Sequence, residues 1–157
     1  MDLKVVGIRH ITDAYIEGTR LRLRQMRVEG DETKFKLTQK IPEPGPGAQQ
    51  GWITTMYLTP AEHTLLSQLP AKKLTKTRLS VPPFGIDIFE GALEGLVMAE
   101  AEFDSAHSAA ALTVPSRVVR EVTADSRSAG GELVRTSPEE PRVWLAEYGL
   151  EIHRASA

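Results

Sequence analysis

The chain contains no cysteine. A disulfide framework and a thiolate metal centre are therefore excluded, and the redox compartment is left open. Aromatic residues make up only 6% of its 157 residues, and no RNA-binding signature is present, which argues against a nucleic-acid surface built on stacked bases. No apolar run is long enough to span a bilayer, and the N-terminus has no signal-peptide core. The protein is assigned to the cytoplasm by default, with neither membrane nor nucleic acid as a partner. Net charge is also small, at −2. That figure hides an asymmetry, because the first half of the chain is basic and the second half acidic. Such halves can fold onto each other or line two sides of one site.

What is present is alternation. Residues 14–28, AYIEGTRLRLRQMRV, and residues 34–41, KFKLTQKI, alternate polar and apolar side chains across a Gly/Asp turn, which predicts a hairpin. Residues 42–51, PEPGPGAQQG, predict a loop and match no phosphate-loop pattern. WITTMYL (52–58), KLTKTRLSV (73–81), FGIDIFEG (84–91) and LVMAEAEF (96–103) predict further strands. LTPAEHTLLSQLP (58–70) predicts a helix capped by Thr59 with Pro60 in its first turn, and DSAHSAAAL (104–112) a second helix capped by Asp104. The tail RVWLAEYGLEIHR (142–154) fits strand or helix equally. The fold class is mainly β with a few flanking helices (α+β): one domain over residues 1–157, built as an antiparallel β-barrel of about eight strands.

The charged faces of these strands carry Arg20, Arg22 and Arg24, then Lys34, Lys36 and Lys40, then Lys76 and Arg78, then Asp87, Glu100 and Glu102. The opposite faces are apolar. For a single strand this pattern is ordinarily a sheet with one wet face and one packed face. Together the strands segregate their charges, whereas ordinary surfaces mix them because like charges repel across a sheet. Cations on paired strands suit phosphate oxygens, and gathered carboxylates suit a hard divalent metal. If the polar faces point inward, the lumen is a basic tunnel with an acidic patch, and the helices cover the apolar exterior. The four histidines share no metal-ligand spacing, and no serine sits in a nucleophile elbow. His10 and Asp13 are read as solvated, and Trp52 and Trp144 as packing residues.

From about residue 11 to residue 133 the sequence resembles the CYTH superfamily, the triphosphate tunnel metalloenzymes. The motifs that carry the resemblance are LRLR (21–24), LTQK (37–40), LTKTR (74–78), GIDIFEGALEGLVMAEAE (85–102) and EVTADSR (121–127). The resemblance implies an eight-stranded tunnel that binds a linear triphosphate or polyphosphate and hydrolyses it with Mg²⁺ or Mn²⁺. It implies phosphate contacts from Arg22, Arg24, Lys40, Lys76, Arg78 and Arg127. Metal binding is implied for Glu100 and Glu102, with Asp87 near them. It identifies no catalytic residue here. The family's first strand carries Glu-x-Glu-x-Lys, and this sequence contains no such motif. Thr54 and Thr55 stand where relatives often carry arginine and glutamate, and Ser128 and Ala129 replace an aromatic and an asparagine. The implied metal site is therefore incomplete. Two expectations stand: a metal-dependent hydrolase of triphosphate-containing substrates, less readily an adenylyl cyclase, or a non-catalytic protein that binds them.

Overall fold

The computed structural model describes residues 4–42 and 51–151. Its centre is one antiparallel sheet of seven strands: β1 (Gly7–Ile16), β2 (Leu21–Val28), β3 (Lys34–Pro42), β4 (Gly51–Leu58), β5 (Ala71–Val81), β6 (Phe84–Phe89) and β7 (Val97–Ala101). The order across the sheet is β4-β3-β2-β1-β5-β6-β7, and the sheet curls into a half-barrel. The mainly β architecture with flanking helices agrees with the sequence. Among the described residues the strands number seven, against about eight expected, and β4 and β7 are open edges, so the tunnel expected from the sequence is there a trough. Most of the loop expected at 42–51 lies outside the described residues.

One correction concerns the first alternating run. It is two strands, not one. The chain reverses at residues 17–20, where Gly18 adopts a positive φ of 70°. The Thr19 hydroxyl donates to the Ile16 carbonyl and accepts from the Leu21 N–H, which fixes the turn. Arg20 therefore lies in the turn rather than on the strand face with Arg22 and Arg24. Glycine at this point removes the steric cost of the left-handed backbone.

Helix α1 (Pro60–Leu66) has the capping box its sequence announces: Glu62 N–H donates to Thr59 Oγ1, and Thr59 N–H donates to the Glu62 carboxylate. α2 (Ala106–Ala110) is capped by Ser105 rather than Asp104, because the Ser105 hydroxyl accepts from Ser108 N–H. The ambiguous tail is helical over α4 (Glu140–Ala146), preceded by the short α3 (Gly130–Leu133). Among the described residues no helix is long and apolar enough to cross a membrane.

The two faces of the sheet do not behave as the alternation alone implies. While Leu23 and Val81 are buried on the opposite face, the face bearing Asp13, Thr38, Lys76 and Asp87 buries these charged and polar groups. On that same face Leu74 and Phe89 pack with Leu93, Leu96, Leu133, Trp144 and Leu145. The C-terminal helices thus cover part of the charged, inner face rather than the apolar exterior. On the outer face α1 lays His63 against Phe35, ring centroids 4.4 Å apart, while Ile88 and Val97 stay exposed. Trp144 is a packing residue as read from the sequence, whereas Trp52 is largely exposed.

Candidate anion site on the inner face

Strand register builds the site. Across the sheet Tyr57, Lys36, Arg24, Asp13 and Leu74 stand in one row, and Met26, Ile11, Lys76 and Phe89 in the next. A third row runs Val28, Arg9, Arg78, Asp87 and Met98. Opposed residues in a sheet point to the same side, so the alternating cations of β2, β3 and β5 face inward together.

Two buried carboxylates organise these cations. Asp13 is 1% exposed and accepts a bidentate pair from Arg24, at 2.6 Å from Nε and 2.7 Å from Nη2. Arg22 lies on the other side of Asp13, its Nε 3.8 Å from Oδ1; that nitrogen is buried and donates to no acceptor. Asp87 is 0% exposed and accepts from Lys76 Nζ at 2.5 Å and from Arg78 at 2.5 and 2.6 Å. Arg78 Nη2 also donates to Glu100 on β7 at 2.5 Å. Gly85 leaves room for this reach, since a Cβ there would press to 3.3 Å from Arg78 Cδ and Nε. Burial pushes the Asp87 carboxyl up, but the Arg78 hydrogen bonds and the charge of Lys76 outweigh it and hold the group below the ordinary carboxylate range. Burial, then the Asp13 charge, pushes the Tyr15 phenol up, against the opposing pull of Arg22. Tyr15 fits because Gly130 on α3 has no side chain: a Cβ there would lie 2.2 Å from the phenol oxygen.

The remaining polar groups lie toward β4. Lys36 Nζ sits 4.8 Å from the centre of the Tyr57 ring. The hydroxyls of Thr38 and Thr55 are 3.2 Å apart. Lys40, opposite Ile53, has the same strand parity as Lys36.

Of the residues singled out in the sequence, Arg22, Arg24, Lys40, Lys76, Arg78, Asp87 and Glu100 share the inner face. Glu102 lies past the end of β7 and is exposed. Arg127 belongs to a separate cluster. It donates to Asp125 and Glu147 and stands over the Trp144 ring, while Tyr148 donates to Asp125. The Arg127 hydrogen bonds hold the Asp125 carboxyl far below its usual range. The cluster ties residues 125–127 to the C-terminal end of α4. Asp13, read from sequence as solvated, is instead the buried partner of Arg24. Its one legible signal is an acid between Ile11 and Tyr15 on a strand whose same-side neighbours are large. His10 faces the other way, its Nδ1 3.1 Å from Thr77 Oγ1 on the outer surface.

The carboxylates as placed do not make a divalent-metal site. Among the described residues no three histidine, aspartate or glutamate side chains converge on a point suited to an ion. Asp13 is committed to Arg24, Asp87 to Lys76 and Arg78, and Glu100 to Arg78. What the arrangement offers is cationic recognition: guanidinium and ammonium donors on a shielded face, where charge-assisted bonds to an anion are strong.

No family model matches the sequence, and no curated protein sequence matches it significantly. Solved structures do match. The crystal structures of the hypothetical protein NE1496 and of the inorganic triphosphatase NE1496 align with TM-scores of 0.56 and 0.55, at 22% and 21% identity, each over 88% of this chain and 92% of the other. The PH1819 protein from Pyrococcus horikoshii OT3 aligns with a TM-score of 0.50 at 19% identity, over 98% of this chain and 84% of that one. At these identities the likeness is one of fold, and the chain is similar in fold to a group of proteins that includes an inorganic triphosphatase.

Proposed function

We propose that the inner face binds the triphosphate group of an inorganic or organic molecule. The observation that supports this most is the incomplete offset of its cations. Asp13 serves Arg24 fully and leaves the Nε of Arg22 without an acceptor, and Lys36 meets an aromatic ring rather than a carboxylate. A polyanion would offer acceptors to the exposed part of the Arg22 side chain and to Lys36. The resemblance of the sequence motifs and the fold shared with an inorganic triphosphatase favour the same ligand class.

Hydrolysis of the bound chain is the second reading, favoured by that structural likeness. Phosphoryl transfer is largely a matter of positioning and charge neutralisation, and the guanidinium and ammonium groups of this face supply both. Because the carboxylates present do not form a metal site of their own, Mg²⁺ or Mn²⁺ belongs in the assay as an added component.

Calorimetry with inorganic triphosphate tests the binding. Binding is expected that weakens as salt rises, since part of the attraction is screened, and that weakens again in Arg22→Gln. No heat of binding at low salt would remove the proposal. Phosphate release with and without added Mg²⁺ or Mn²⁺ decides between turnover and binding alone.

A further inference from the structure

The two edges of the sheet are built differently, and the difference concerns a partner rather than a ligand. An open edge presents unpaired backbone N–H and C=O groups, and proteins ordinarily blunt it with lysine, proline, a bulge or a covering element. β7 is short, at five residues, and carries Glu100. β4 has no such device. Its eight residues, GWITTMYL, include no charge and no proline, and its register with β3 runs unbroken from Phe35–Leu58 to Pro42–Gly51. Trp52, Ile53, Met56 and Tyr57 are each more than half exposed. Among the described residues no strand pairs with the free side of β4.

We infer that the free edge of β4 pairs with β4 of a second copy of this chain, antiparallel across a two-fold axis, so that the two sheets run on as one. The strand is complementary to itself. A two-fold axis normal to the sheet keeps each face on its own side, so residues opposed across the seam share a face. Centred on Thr55, the pairing sets Ile53 against Tyr57 on the inner side, and Trp52 against Leu58 and Thr54 against Met56 on the outer side. Pairs of aromatic with aliphatic residues stabilise a sheet, and so does the Thr55 pair that meets at the axis. Centred on Thr54, the strand would set Tyr57 against Gly51, which has no side chain to offer. Charge selects the edge. β4 opposes no like charges, whereas β7 paired with itself would bring the Glu100 carboxylates of both copies onto one face. Each copy gives two aromatic and two aliphatic exposed side chains to the seam, which covers roughly 1,000 Å² in total, about what a specific but reversible pair needs. Dilution separates the copies and returns β4 to an open edge.

Sedimentation velocity over a concentration series tests this. The full chain is expected to shift from one copy to two between about 1 μM and about 500 μM, and no further. Thr54→Lys puts a charge on the edge beside Met56 of the second copy. It is expected to hold the protein at one copy throughout, with its circular dichroism spectrum and denaturation midpoint unchanged. The chain has no cysteine of its own, so Thr55→Cys offers a single thiol at the axis. Opposed residues of an antiparallel pair lie about 4.5–5.5 Å apart, within disulfide reach, while residues displaced by two positions lie about 7–8 Å apart and beyond it. Oxidised Thr55→Cys should therefore run as a covalent dimer, and Thr54→Cys, whose counterpart is displaced across the seam, far less. This comparison decides the matter even if Thr54→Lys disturbs the fold. A single copy at every concentration, assembly beyond two copies, a dimer that survives Thr54→Lys, or equal cross-linking of Thr54→Cys and Thr55→Cys overturns the inference.

Discussion

The halves of the inner face solve the same problem in different ways. Around β5 and β6, like charges are held together by a fully buried acid: Asp87 satisfies Lys76 and Arg78, and an apolar cover seals the group. Around β2 and β3, the acid Asp13 is just as buried but saturated by one arginine, so Arg22 and Lys36 keep unfilled bonding capacity. A cation with a resident counter-ion serves the fold. A cation that only shares a counter-ion, as Arg22 shares Asp13 with Arg24, or that has none within reach keeps capacity for a ligand. Residue type alone does not separate the two roles; the number of acceptors within reach does.

The comparison breaks first at Asp87. Asp87→Ala leaves the 7%-exposed Lys76 without its acceptor and is expected to lower stability by about 3–5 kcal/mol, measured by chemical denaturation. A loss below about 1 kcal/mol would mean that the pair is not a structural unit. The same residue sets an acid limit. Its folded pKa lies below the unfolded one, so its contribution is complete above about pH 4 and is lost as pH falls through the folded pKa. The stability gap between wild type and Asp87→Asn should therefore close on acidification below pH 4 and not on raising the pH.

Binding separates the halves next. Arg22→Gln is expected to weaken inorganic triphosphate about tenfold with little loss of stability, in keeping with a charge-assisted bond to an anion. Lys76→Gln should do the reverse, lowering the denaturation midpoint while changing affinity less. Equal losses of affinity in both variants would erase the distinction. The smallest effect is a control far from the face. Thr59→Ala removes the α1 cap and should cost about 1 kcal/mol, with triphosphate binding unaltered.

Much of this was legible in the residues. The period-two runs of β2, β3 and β5 fix which cations share a face, because side-chain alternation follows from the backbone alone. Pro60, Thr59 and Glu62 spell the start of α1. The large same-side neighbours of Asp13 only hint at its burial, which depends on Arg24 across a register that only the folded sheet defines. The break at residues 17–20 was hidden because Thr19 and Arg20 continue an alternation that the Gly18 turn interrupts. The tail fitted either period until Trp144 and Leu145 had a core to join. The sequence also left open which face is inside, and the covering helices decide it through Leu74 and Phe89.

Arg78 has a mechanical consequence. From β5 it bonds Asp87 on β6 and Glu100 on β7, so one side chain rivets three strands. β7 is short, five residues at an open edge, yet it is pinned at its inner side. β4 is longer, eight residues, with no ionic tie across the sheet from any of its own side chains. The backbone amides of the two edges should then exchange with deuterium in an order opposite to their lengths, the longer strand opening first.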